Sequence, residues 1–207
     1  MEQVNIFPGY QILITHISDG DMRDVQNFPH IIRSVPQVHG TEIVEFHGKP
    51  DERISGVDGI YTKIPNVSIG GLSADCPVIL FMGRGEIAAV HSGWRGTKAH
   101  IIRNVVPFFE NTPLSELKVY IGPHIQKNSY EVREDFFINF PETYIEKIND
   151  KFYFDIEAYL VDDLILMGIK RENIYSHGAD TLTKAYYYSY RRDGMIGDGC
   201  ISLKMIF

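Results

Sequence analysis

The chain has 207 residues, 44% of them hydrophobic, and a formal net charge of −7 at pH 7. That is enough apolar content for one domain, residues 1–207, with a sizeable core, and an acidic chain without a basic stripe is not built to bind nucleic acid. Two cysteines, Cys76 and Cys200, make no disulfide framework, the N-terminal segment has no signal-peptide pattern, and no apolar run is long enough for a membrane span; the expectation is a cytoplasmic protein with no membrane attachment and a reduced Cys76.

Read in order, Tyr10–His16 is β-rich and predicts a strand, Asp19–His30 is polar and turn-like, and Glu42–Phe46 predicts a strand after the irregular Val35–Gly40. A polar loop, Asp51–Gly59, ends in the turn signal Asp58-Gly59, and strands are predicted at Ile60–Lys63 and Val67–Leu72. Pro77–Met82 and Ile87–Val90 are apolar runs joined by Gly83-Arg84-Gly85-Glu86, the pattern of a buried hairpin. The period then changes, and Thr97–Phe109 predicts a helix with Ile101, Ile102, Val105, Val106 and Phe109 on one stripe. Leu117–Ile121, Tyr130–Val132 and Phe152–Phe154 are β-like; Glu134–Phe140 and Pro141–Ile148 read as helical. Asp155 is a good N-cap for a helix over Ile156–Met167, and Gly168 a good residue to end it. Asn173–Ser176, Ala185–Tyr190 and Ile201–Phe207 complete the predicted strands. Strands outnumber helices and several neighbours are antiparallel, which gives an α+β class with mixed, largely antiparallel sheets and flanking helices.

The chemistry gathers at strand ends. An antiparallel hairpin sets its outer ends side by side, so Cys76, just before one run, and His91, just after the other, can meet. A thiol beside an imidazole is either an activated nucleophile or part of a metal site. His39 stands at another strand end, and a His-Cys-His set suits a catalytic zinc with one open position, though the spacings match no compact zinc motif and a buried structural cysteine with unrelated histidines stays open. Gly93-Trp94-Arg95-Gly96 joins strand to helix. There Arg95 can grip a phosphate or carboxylate, or simply form a structural salt bridge. Asp75 can orient an imidazole or cap its turn. In Tyr190-Arg191-Arg192-Asp193, read as strand, only one arginine can enter a given pocket, and Asp193 is read as an arginine's partner.

Five motifs in order, Gln37-Val38-His39-Gly40, Ala74-Asp75-Cys76-Pro77-Val78, Ala89-Val90-His91-Ser92-Gly93-Trp94-Arg95-Gly96, Ile121-Gly122-Pro123 with Tyr130-Glu131-Val132, and Ser189-Tyr190-Arg191-Arg192-Asp193-Gly194, resemble the YfiH family, also called the laccase-domain or peptidoglycan-editing-factor family. The resemblance implies an α/β/β fold related to the catalytic domain of cytotoxic necrotizing factor. It also implies zinc on His39, Cys76 and His91, which would be the catalytic residues too, with copper as a possible replacement. Phosphorolysis of adenosine, inosine or methylthioadenosine, adenosine deamination, polyphenol oxidation and cell-wall precursor editing are all attached to the family. Partners so implied are a nucleoside and phosphate, with Arg95, Asp75 and Arg191 as substrate contacts; the oligomeric state is not readable. Three departures stand out: Asn128 and Ser129 replace cysteines, Ile196-Gly197-Asp198 replaces Thr-Gly-Arg, and a Cys-Thr pair is replaced around Ser176-His177. A Ser-Leu-Asn-Leu-Gly-type stretch before the first histidine motif is also missing. A metal-free Cys-His hydrolase is the main alternative. A four-copper oxidase is disfavoured by eight histidines without a His-x-His pair, and a non-enzymatic metal-binding or partner-binding protein is the remaining reading.

Overall fold

The structure, a computed structural model, describes residues 1–48 and 54–206. Its strands are β1 (Glu2–Val4), β2 (Tyr10–Ile14), β3 (Ile31–Arg33), β4 (Ile43–Glu45), β5 (Gly59–Thr62), β6 (Ser68–Ser73), β7 (Val78–Gly83), β8 (Glu86–His91), β9 (Lys118–Ile121), β10 (Glu131–Val132), β11 (Ile145–Ile148), β12 (Lys151–Phe154), β13 (Ile174–Ser176) and β14 (Gly199–Met205). The α-helices are α1 (Trp94–Lys98), α2 (Ile156–Leu166) and α3 (Tyr190–Asp193).

The hairpin β7–β8 lies inside a six-stranded sheet of order β13-β9-β7-β8-β5-β4. Its runs are continuously apolar because both faces are covered. Ile79, Phe81, Ala88 and Val90 face a core shared with Ile156, Leu160 and Leu164 of α2. Val78, Leu80, Met82, Ile87 and Ala89 face Ile12 and Ile14 of β2, Ile69 of β6 and Leu203 of β14. Those last strands belong to a five-stranded sheet, β1-β2-β14-β6-β3. Successive side chains of a strand point to opposite faces, so one hairpin serves both cores and the layers run helix, sheet, sheet. A three-stranded sheet, β10-β12-β11, packs Phe154 into the helix-side core. Pairing is largely antiparallel; β3–β6, β4–β5 and β9–β13 are parallel. The α+β expectation holds.

Helix α2 forms where expected: the Asp155 carboxylate accepts from Ala158 N at 2.9 Å, and Gly168 follows at φ 101°. Four expectations are corrected. Thr97–Phe109 is not one helix. His100, at φ 56°, breaks it, and Ile101–Phe108 winds as a 3-10 helix containing Pro107, which has no N–H to donate. Ile101, Ile102, Val105 and Phe109 are buried all the same, so the stripe fits either winding. Pro141–Ile148 holds a short 3-10 turn and then β11, because Asn149 and Asp150, both at positive φ, close a two-residue hairpin onto β12. Glu134–Phe140, also read as helical, holds no α-helix either: Glu134–Ile138 winds as a 3-10 helix. Ala185–Tyr190 is no strand: Ser189 Oγ accepts from Arg192 N at 3.2 Å and caps α3. Strands β1 and β3 were not expected. The loop read at Asp51–Gly59 and the end of Ile201–Phe207 lie partly outside the described residues.

Candidate metal centre and active site

The hairpin register pairs Val78 with His91, and Ser92 N donates to Pro77 O at 2.8 Å just beyond it. Cys76 is therefore held beside His91. The loop that carries Cys76 is pinned by Asp75, a buried residue at φ 93° that a side chain rarely adopts. One Asp75 oxygen accepts from Thr181 Oγ1 at 2.6 Å and the other from Arg191 N at 2.8 Å. Ser73 Oγ donates to Cys76 O at 2.6 Å.

His39 arrives from the other side, also at positive φ (57°). Its conformation is fixed by Asp58, which precedes β5 and is buried. The Asp58 carboxylate accepts from His39 N at 2.9 Å and Gly40 N at 2.6 Å, and lies 2.9 Å from His91 Nδ1. A single carboxylate thus fixes the backbone of one histidine and the ring of the other, leaving Nε2 of His91 for the site. Burial pushes the Asp58 carboxyl up, but the bonds from His91, Gly40 and His39 outweigh it, so it sits below its ordinary value and is ionised.

The ligand atoms of His39, Cys76 and His91 all lie within 4.8 Å of one another, and this is the one such group among the described residues. The His39 and His91 rings meet edge to face, with centroids 4.8 Å apart. Gly93 makes room for them: a Cβ there would stand 2.6 Å from His39 Nδ1 and 3.2 Å from Cys76 Sγ. Burial pushes the Cys76 thiol up, but hydrogen bonds from His39 and His91 and their charge bring it down to about 7. Burial lowers the His91 imidazole, and the Asp58 and Cys76 bonds more than reverse this. Two nitrogens and a sulfur already inclined to thiolate make a donor set that fits a borderline-soft divalent metal such as zinc. In protein stripped of metal, iodoacetamide alkylation of Cys76 should rise with a midpoint at pH about 7, below the ~8.5 of a free cysteine. A midpoint at the ordinary value would mean that the imidazoles do not hold the thiolate.

A cavity of about 610 Å³ opens onto this cluster, lined also by Asp75, Trp94, Arg95, Tyr130, Arg191 and Asp198. Arg95 is exposed and stacks on Trp94, its guanidinium carbon 4.5 Å from the ring centroid; no carboxylate pairs with it among the described residues. Arg191 lies over Tyr130 at 5.3 Å and donates to Glu131 O at 2.8 Å. Arg192 turns away, donating to the carbonyls of Thr181, Leu182 and Tyr187 and pairing with Asp193. The two arginines diverge as expected, though on a helical turn and not a strand. The carboxylate on the His91 ring is Asp58, whereas Asp75 braces the cysteine loop. From sequence, Asp58-Gly59 reads as a turn, Tyr130 as part of a β-like stretch and a motif, and Asp198 as a departure from that motif pattern; none is marked as lining or bracing the site.

A family model described as multi-copper polyphenol oxidoreductase laccase matches residues 21–205. The chain is 35% identical over 169 residues to the purine nucleoside phosphorylase RC0672 of Rickettsia conorii, spanning 75% of this chain and 68% of that one. It is 32% identical over 169 residues to the purine nucleoside phosphorylase YfiH of Escherichia coli K12, spanning 78% and 68%. The crystal structure of Neisseria meningitidis protein NMB0706 has the same fold, with a TM-score of 0.83 at 23% identity over 100% of this chain and 99% of that one.

Proposed function

Because the chain belongs to the laccase-like YfiH family, we propose that it is a zinc-dependent purine nucleoside phosphorylase acting on adenosine, inosine or methylthioadenosine. The observation that carries this is the meeting, in one cavity, of the His39-Cys76-His91 donor set with Arg95, an arginine free of any carboxylate partner among the described residues. Zinc bound there supplies a Lewis acid with an open coordination position. The same open position makes adenosine deamination a chemically related activity of the site.

The chain's own groups account for the rest. Arg95, fixed against Trp94, and Arg191, fixed over Tyr130, draw phosphate into the cavity and hold it against C1′ of the ribose. A phosphate oxygen bonds C1′ while the bond from C1′ to the base nitrogen breaks. Tyr130, half-buried, keeps its proton, since burial and the Cys76 and Asp75 charges raise its pKa; its hydroxyl is a donor toward an anion. Asp58 holds His91 and His39 still throughout. The net charge of −7 and the absence of a basic stripe favour a small-molecule substrate over a nucleic acid. No helix among the described residues is long and apolar enough to cross a membrane, and a reducing cytoplasmic setting suits the free thiol of Cys76.

Arg95→Ala should raise the KM for phosphate by about tenfold or more, the worth of one charged hydrogen-bond partner, with metal content unchanged. An unaltered phosphate KM would remove Arg95 from the site.

One observation favours a second reading. Asp58, His91 and Cys76 form a carboxylate-imidazole-thiol series, as in a metal-free hydrolase whose thiolate attacks an amide or ester such as those of a cell-wall precursor. His39 has no task in that chemistry. A chelator discriminates: it should abolish phosphorolysis and would leave such a hydrolase active.

A further inference from the structure

The cavity carries two kinds of lining. Arg95 stacks on Trp94 and Arg191 on Tyr130, and neither pairs with a carboxylate among the described residues, whereas the carboxyl of Asp198 has Arg23, itself held by Asp21, 3.8 Å away. Near Asp198 the walls are apolar. Val35 and Leu72 line the cavity and pack with Met22 and Cys200, and Met22 N donates to Asp198 O at 2.9 Å. Such a division suits a ligand with an anion at one end and a flat ring at the other.

Asp198 is held by its backbone, while its side chain makes only a long ion pair. Its N–H donates to Asp21 Oδ1 at 3.0 Å. Its carboxyl accepts no hydrogen bond among the described residues, and the nearest cation, Arg23 Nε, is 3.8 Å away. Arg23 is committed elsewhere: its Nε donates to Asp21 at 2.9 Å and its terminal nitrogen to Ile196 O at 3.0 Å. A partly buried carboxyl that lines a cavity, accepts no hydrogen bond among the described residues and shares its one nearby cation with another carboxylate is unusual in a folded protein.

We infer that Asp198 is the acid that protonates the departing purine. The inference rests on the phosphorylase reading and adds the group that reading lacks. As the phosphate oxygen bonds C1′, the electron pair of the C1′–N9 bond passes to the base. The proton on the Asp198 carboxyl moves to N7 of the base. The products are ribose 1-phosphate and a neutral purine, and solvent returns a proton to the carboxylate. Burial, helped by the charge of Asp21, raises the proton affinity of Asp198 over the opposition of Arg23, His91 and His39, as an acid requires.

The test compares inosine with 7-methylinosine, whose base is already cationic and leaves without a proton. In Asp198→Asn, kcat/KM for inosine should fall by about a hundredfold or more, the usual worth of a general acid, while 7-methylinosine loses a far smaller factor. Retained cleavage of 7-methylinosine also shows that the variant is folded. An equal fall for both substrates, or none for inosine, overturns the assignment alone. If the wild-type protein with zinc and phosphate cleaves neither nucleoside, the phosphorylase reading fails and this inference with it.

Discussion

Cys76→Ala is expected to abolish metal binding and to lower nucleoside cleavage by about a thousandfold or more, the scale seen when one member of a concerted catalytic group is removed. The reason is charge. Cys76 is the one anionic donor of the three proposed ligands, and the two imidazoles that remain attract a divalent cation only as neutral groups. The fold should survive. Cys76 is partly exposed, the brace from Ser73 runs to its backbone carbonyl, and Asp75 keeps both of its partners. Metal analysis beside a thermal melt is the check: loss of metal with little change in Tm is expected. A variant that retains both metal and turnover would remove Cys76 from the site.

Asp58→Asn should weaken metal binding by about 10–100-fold, the usual effect of removing a carboxylate that orients a ligating histidine. An amide oxygen can still accept one bond, but its NH2 group faces donors where the carboxylate faced them with oxygen. His39 N, Gly40 N and the His91 ring cannot all stay satisfied. The variant should also lose about 1–3 kcal/mol of stability. The sign of its pH dependence follows from the lowered carboxyl of Asp58. A group whose folded pKa lies below its unfolded value stabilises the fold above the unfolded pKa, ~3.9 for aspartate, and loses that contribution as pH falls through the folded value. The gap between wild type and variant should therefore be full near neutral pH and close below about pH 4. Urea unfolding at several pH values measures it; a gap that widens in acid would mean Asp58 is not held as its ionised form.

What could be read from the sequence is what local pattern dictates. The hairpin was legible because two unbroken apolar runs flank a Gly-rich turn, and the hairpin carries Cys76 to His91. His39 was a candidate third ligand from its place at a strand end, and the motif resemblance, not spacing, strengthened that grouping. Helix α2 was legible from its Asp155 cap. The stretch Thr97–Phe109 misled because its stripe is buried by either winding, and nothing local marks His100 as left-handed. Pro141–Ile148 misled because β11 buries only Ile145, so its alternation is invisible, although Asn149-Asp150 is a hairpin signal. Asp58 and Asp198 are tertiary facts. Asp58 reaches His91 because β5 pairs with β8, Gly59 opposite Val90. Asp198 reaches the cavity because the start of β14 is tied to Asp21 and Met22, far off in the chain.

The decisive measurement is product analysis of the zinc-loaded protein with adenosine and with inosine, each with and without inorganic phosphate. The expected result is free purine and an equal amount of ribose 1-phosphate, formed only when phosphate is present and abolished by chelator. Purine released equally without phosphate, or no cleavage of either nucleoside by protein that carries its metal, would contradict the phosphorylase function proposed for the His39-Cys76-His91 cavity.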